Sequence, residues 1–102
     1  MAGYLSGKVA LVIGAGDDTH RSVVVAMAEA GADVAIAGVP ADLSAEAALH
    51  SISNEIWALN RRGTVVTLEG ADDASVAEGV GRAKQELGRA DLIVRCEAVA
   101  QG

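Results

Sequence analysis

The fold is decided by Lys8-Val9-Ala10-Leu11-Val12-Ile13-Gly14-Ala15-Gly16-Asp17-Asp18-Thr19-His20-Arg21-Ser22. Its first six residues form an apolar run of strand length, Gly14-x-Gly16 signals a tight turn, and the alanine- and valine-rich stretch beyond has helical spacing. This succession predicts the opening of a nucleotide-binding βαβ unit.

Working outward, Met1 to Gly7 is a short polar lead-in. A first helix begins near Thr19 with Val23, Val24, Met27 and Ala28 on one face, and Gly31 ends it. Asp33 to Ala37 is a nearly continuous apolar run, as expected of a strand covered on both faces. Pro40 breaks the chain, and Asp42 or Ser44 caps a second helix. Leu49, Ile52, Ile56 and Leu59 form its buried stripe, and Arg61, Arg62 and Gly63 close it, the two cations suiting the helix dipole. Thr64 to Leu68 is the third strand. Asp72 or Asp73 caps a third helix that runs through Leu87 to Gly88, and the fourth strand spans Ala90 to Val94. Gly79 and Gly81 each weaken the third helix by about 1 kcal/mol relative to Ala unless a neighbour packs close against them.

Helix-length connections between the strands force parallel pairing through right-handed crossovers. The expected fold is α/β, a Rossmann-like half with a four-stranded parallel sheet in the order 3-2-1-4 and helices on both faces. Residues 1–102 form a single domain, with no internal repeat or linker. Half the residues are apolar (51%) but only 2% are aromatic, so the core must come from Ala, Val, Leu and Ile. Such small side chains bury little area each, so burial in an oligomer would add stability.

A net charge of −6 gives the long-range field the wrong sign for nucleic acid or an anionic membrane surface. No apolar run approaches the roughly 18 residues that would span a bilayer. Neither a signal-peptide core nor a Cys/His cluster is present, and Cys96 is the one cysteine, so a cytoplasmic location is expected.

With these elements placed, residues 6 to 95 resemble the N-terminal half of the short-chain dehydrogenase/reductase family. The resemblance rests on Ser6-Gly7-Lys8-Val9-Ala10-Leu11-Val12, Ala30-Gly31-Ala32-Asp33-Val34, Asp73-Ala74-Ser75-Val76 and Gly88-Arg89-Ala90-Asp91-Leu92-Ile93-Val94. It implies NAD or NADP as cofactor, held through a T-G-x-x-x-G-x-G motif. Here the motif is degenerate: Ile13 replaces the threonine, Gly14 is kept, Asp18 takes the second glycine position and His20 the third. The family's glycines let backbone N–H groups approach the cofactor phosphates at a helix N-terminus. Carboxylates at Asp17 and Asp18 would satisfy those donors from within and repel a phosphate.

Ala37-Gly38-Val39-Pro40 stands where the family places its ribose-reading side chain, and offers neither an acid nor a base. Glu69 falls where the family has an aspartate near the adenine. Gly14, Gly16, Asp18 and Glu69 are therefore the candidate cofactor-binding residues. The family's N-N-A-G appears as Arg95-Cys96-Glu97-Ala98. The chain reaches Gly102 before any catalytic serine or Y-x-x-x-K pair, and its only tyrosine, Tyr4, precedes the first strand. No catalytic residue is assigned.

Asp17, Asp18 and His20 are expected as caps and solvated polar groups rather than metal ligands, and Cys96 as a small strand residue rather than a nucleophile. Trp57 either covers the core edge or centres an interface. The fourth strand would leave an apolar edge that invites pairing. Antiparallel pairing of two copies about Cys96 sets Arg95 opposite Glu97 twice, within a continuous eight-stranded sheet. Val94, Arg95, Cys96, Glu97 and Trp57 are thus the candidate interface of a homodimer.

Two functions follow. The first is a non-catalytic assembly or interaction domain with no cofactor. The second is an NAD- or NADP-binding half that acts with a separate or missing catalytic segment. A nucleoside or small cation at the strand carboxyl ends ranks third.

Overall fold

A computed structural model describes residues 3–96. The elements in chain order are β1 (Val9–Ile13), α1 (Asp18–Glu29), β2 (Asp33–Gly38), α2 (Leu43–Ala58), β3 (Gly63–Thr67), α3 (Asp73–Leu87) and β4 (Leu92–Arg95). The strands form one parallel sheet ordered β3-β2-β1-β4, as the crossover rule requires. Val12 sits beside Ile36 on one side and Val94 on the other.

Each face of the sheet has its own core. Ala10, Val12, Val34 and Ile36 pack with Val24 and Ala28 of α1 and with Leu49, Ile52 and Ile56 of α2. On the opposite face Val9, Leu11, Ala35 and Val66 pack with Ala83 and Leu87 of α3. The strand period of two divides β1 and β2 between the layers, so both strands are buried almost throughout. A Cβ on Gly79 would come within 2.8 Å of Leu68, so the glycine lets α3 lie close on the sheet. Gly81 faces open space, and nothing offsets its cost there.

The ends of some elements depart from the sequence expectation. α2 stops at Ala58, and Asn60 takes a left-handed conformation at φ 63°, so Arg61 and Arg62 lie beyond the helix rather than in its last turn. They act as tethers instead. Arg61 donates to the carbonyl of Ala28, and Arg62 pairs with the Asp33 carboxylate at 2.9 Å. β4 begins two residues later than Ala90, because the Asp91 carboxylate accepts from the Val9 N–H at 2.8 Å ahead of the regular ladder. Among the described residues, no helix is long and apolar enough to cross a membrane.

Candidate functional site

β1 delivers the chain to Gly14, whose N–H still donates to the Ala37 carbonyl at 3.0 Å and so keeps the turn against β2. Gly16, at φ 76°, then reverses the chain into α1, a conformation that excludes most side chains. Asp17 is the extended capping residue. Its carboxylate accepts from the His20 N–H at 3.0 Å and its carbonyl from the Arg21 N–H at 2.9 Å. Two of the first N–H groups of α1 are thereby satisfied. Those of Asp18 and Thr19 make no hydrogen bond among the described residues.

His20 corrects the expectation of a solvated polar group, because it is fully buried, at 0% exposure. The Gly16 N–H donates to Nδ1 at 3.0 Å, and Nε2 lies 3.0 Å from the Val12 carbonyl oxygen. A carbonyl can only accept and an amide N–H can only donate, so the proton belongs on Nε2 and the ring is neutral. Burial drives its pKa below the ordinary value, outweighing the Val12 bond and the Asp17 carboxylate, which act the other way. The ring also lies against Gly14, where a Cβ would approach it to 2.5 Å. Gly14 and His20 are therefore one packing unit. The signal was present in the spacing, since His20, Val24 and Ala28 repeat every four residues as the buried line of α1.

Two cavities flank this turn at the carboxyl ends of the strands. One, of about 270 Å³, has Gly14, Ala15, Val39, Val76, Arg95 and Cys96 among its lining residues. The other, of about 210 Å³, lies toward β2 and is lined by Gly14, Ala15, Gly38, Val39, Pro40 and Leu49. They share Gly14, Ala15 and Val39. β1 and β2 lead into α1 and α2 on one face of the sheet and β3 into α3 on the other, and the carboxyl ends of the strands are where open α/β sheets hold ligands. The walls are largely apolar. Arg95 is the one cation among the described lining residues and lies 3.7 Å from the exposed Asp73 carboxylate.

Of the candidate cofactor residues, Gly14 lines both cavities. Gly16 and Asp18 shape the turn and the helix start but line neither, and Glu69, exposed beyond β3, lines neither as well. Arg95 and Cys96, expected at an interface, line the larger of these two cavities. Burial, reinforced by the Asp17 carboxylate, pushes the Cys96 thiol up and keeps it protonated. Val94 packs partly buried against the α1–α2 core, Glu97 lies outside the described residues, and Trp57 is 55% exposed with its indole N–H donating to the Gly63 carbonyl on β3. Among the described residues no three His, Cys, Asp or Glu side chains converge on a point that would hold a metal ion.

No family model matches the chain. It is 34% identical over 92 residues to a short-chain dehydrogenase/reductase of Armillaria gallica, covering 90% of this chain and 34% of that protein. Among solved structures, a blue fluorescent protein from a metagenomic library in complex with NADPH superposes with a TM-score of 0.80 at 32% identity, covering 93% of this chain and 38% of that one. The chain is a homologue of the N-terminal part of the short-chain dehydrogenases/reductases. A carveol dehydrogenase from Mycobacterium avium in complex with NAD also superposes, with a TM-score of 0.78 at 27% identity, over 96% of this chain and 38% of that one. The chain spans about a third of the length of the curated relatives it matches.

Against the family's T-G-x-x-x-G-x-G motif, the substitution at the third glycine has a definite structural consequence. The His20 ring takes up the space over Gly14 and fastens the turn from within. The donors left for a dinucleotide diphosphate are the N–H groups of Asp18 and Thr19, at the positive end of the α1 dipole. The apolar cavity along Gly38 and Leu49 suits an adenosine moiety. Such a ligand fits, with the exposed Asp17 and Asp18 carboxylates weakening its hold on phosphate.

Proposed function

We propose that this chain is the dinucleotide-binding half of a short-chain dehydrogenase/reductase-type oxidoreductase, with NAD favoured over NADP. The supporting observation is the pair of cavities joined along Gly14 and Ala15, together with the N–H groups of Asp18 and Thr19, which make no hydrogen bond among the described residues. Adenosine would occupy the β2 side, the diphosphate the start of α1, and the nicotinamide end the cavity lined by Val76, Arg95 and Cys96. When bound, the dinucleotide supplies or accepts a hydride. This chain's own residues orient it and exclude water. Gly38, Val39 and Pro40 offer no cation for a 2′-phosphate, hence the preference for NAD. A general acid would come from a segment beyond these residues or from a separate chain, since Tyr4 is 86% exposed and precedes β1.

Calorimetric titration with NAD⁺, NADP⁺ and adenosine is the test. Saturable NAD⁺ binding is expected, weaker for NADP⁺. In Asp18→Gly, NAD⁺ affinity should rise about tenfold, equivalent to about 1.4 kcal/mol, while adenosine affinity stays unchanged. Absence of binding by all three ligands would remove this function.

The competing function is self-association through β4. In its favour, β4 pairs only with β1 among the described residues, and Ile93 on it is 52% exposed. A monomer mass by sedimentation would eliminate it, and so would a dimer mass unchanged in Ile93→Lys.

A further inference from the structure

The crevice has an internal fastening that the family motif does not contain. Its parts are the Gly16 N–H donating to Nδ1 of His20, the opposite ring nitrogen donating to the Val12 carbonyl, and the ring face packed on Gly14. The three contacts tie the turn at both of its ends, Val12 within β1 and Gly16 at its exit. The turn in question is the wall common to both cavities.

We propose that His20 is a positioning residue of the crevice: its neutral ring straps the Gly14–Gly16 turn to β1, and protonation of Nδ1 releases that turn. The chemistry follows from the bonding partners. A proton on Nδ1 turns an acceptor into a donor facing the Gly16 N–H, so that bond is lost while the Val12 bond can persist. No solvent reaches the ring to hydrate the new charge.

The surroundings leave the ring itself as the group that responds near neutrality. Asp17, in its own turn, is the charged neighbour and favours the protonated form. β1 contributes Val12 and Gly14, and α2 presents Ala45, Ala48 and Leu49 to the Gly16 side of the turn. Cys96, after β4, is held as a neutral thiol, and Arg21, the next charged residue on α1, is engaged bidentately by Glu55 of α2. Burial opposes protonation, so the strap is intact at neutral pH and is lost as the pH falls below the ordinary histidine value near 6.5.

As a ligand-binding device this rests on the proposed function, so its test reads the strap separately from the ligand. On the whole chain, NMR between pH 8 and pH 5 would follow the His20 ring nitrogens and the exchange protection of the Gly16 amide, corrected for intrinsic exchange. Above the transition, Nδ1 should resonate as a bare nitrogen and Nε2 as a protonated one. Gly16 protection should fall at least tenfold with the same midpoint as the ring. In His20→Gln and His20→Asn, which do not titrate, it should not vary with pH. A ring that titrates without change at Gly16, the opposite tautomer, or the same loss of protection in either variant would overturn the proposal. The wild-type measurements decide the matter if neither variant folds. In a second arm, adenosine, uncharged over this range, should bind several-fold more weakly below the midpoint found for the ring than at pH 7.5 in the wild type. Failure of adenosine to bind at either pH would count against the ligand site, and the Gly16 exchange data would still decide the strap.

Discussion

Two helices of this protein open on the same dipeptide and put it to different use. α1 begins within Gly16-Asp17-Asp18-Thr19-His20, and α3 within Ala71-Asp72-Asp73-Ala74-Ser75. In both, the first aspartate is the extended capping residue and the second is the first helical one. At α1 the Asp17 carboxylate accepts from the backbone N–H of the residue three positions on, leaving that residue's imidazole free to turn inward onto β1. At α3 the Asp72 carboxylate accepts from the Ser75 hydroxyl at 2.7 Å and makes no capping bond to a backbone N–H. One Asp-Asp turn is thus built into the core, and the other remains a surface turn. The residue at the third helical position decides which, because it either continues the buried line of the helix or stays outside it.

The largest difference should appear when that residue is cut back in each turn. His20→Ala leaves the part-buried Gly16 N–H without its ring partner, removes the buried bond to the Val12 carbonyl and opens a cavity against Gly14. It should cost about 2–4 kcal/mol in urea unfolding. Ser75→Ala removes a hydroxyl from a solvated turn and should stay within about 0.5 kcal/mol. Similar losses at the two sites would mean that His20 is no more built in than Ser75.

The sheet order and the helices were legible because strand-like and helical periods alternate cleanly, and because Gly31 and Gly88 stop α1 and α3 with φ of 105° and 90°. The turn at Asp17 was legible as a capped helix start. Its buried side was not, since a histidine beside two aspartates reads as polar surface unless its four-residue spacing from Val24 and Ala28 is given priority. Arg61 and Arg62 show a similar ambiguity: charge near a helix end suits the dipole, but a left-handed Asn60 turned the chain first. Arg95 was legible as belonging to the last strand, whereas Cys96, expected as a small strand residue, lies just past its end. That they also line the crevice depends on where α3 brings Val76, which no local pattern encodes.

The capping residues should separate the two turns by a smaller margin. Asp17→Ala removes the bond to the His20 N–H and should cost about 1 kcal/mol, the usual effect of losing an N-terminal cap. Asp72→Ala removes no backbone bond and should cost less. Equal losses would show that the dipole, common to both helices, outweighs the hydrogen bond that only one of them makes.

Acid titration offers the finest separation, because the two turns respond in different windows. His20 is held below the ordinary histidine value by burial, so the unfolded chain takes up this proton first. Its contribution is complete above about pH 6.5 and falls away as the pH drops toward its lowered value. The Ser75 hydroxyl holds the Asp72 carboxyl below the ordinary carboxylate value of 3.8. That contribution is present above pH 3.8 and is lost only as the pH falls through the depressed value. Unfolding free energies for wild type, His20→Gln and Ser75→Ala should therefore differ in slope in separate ranges. The first variant should flatten the curve just below pH 6.5, and the second only in the carboxylate range. A wild-type slope below pH 6.5 that persists unchanged in His20→Gln would show that His20 does not carry it, and would leave the α1 turn as insensitive to mild acid as its counterpart at α3.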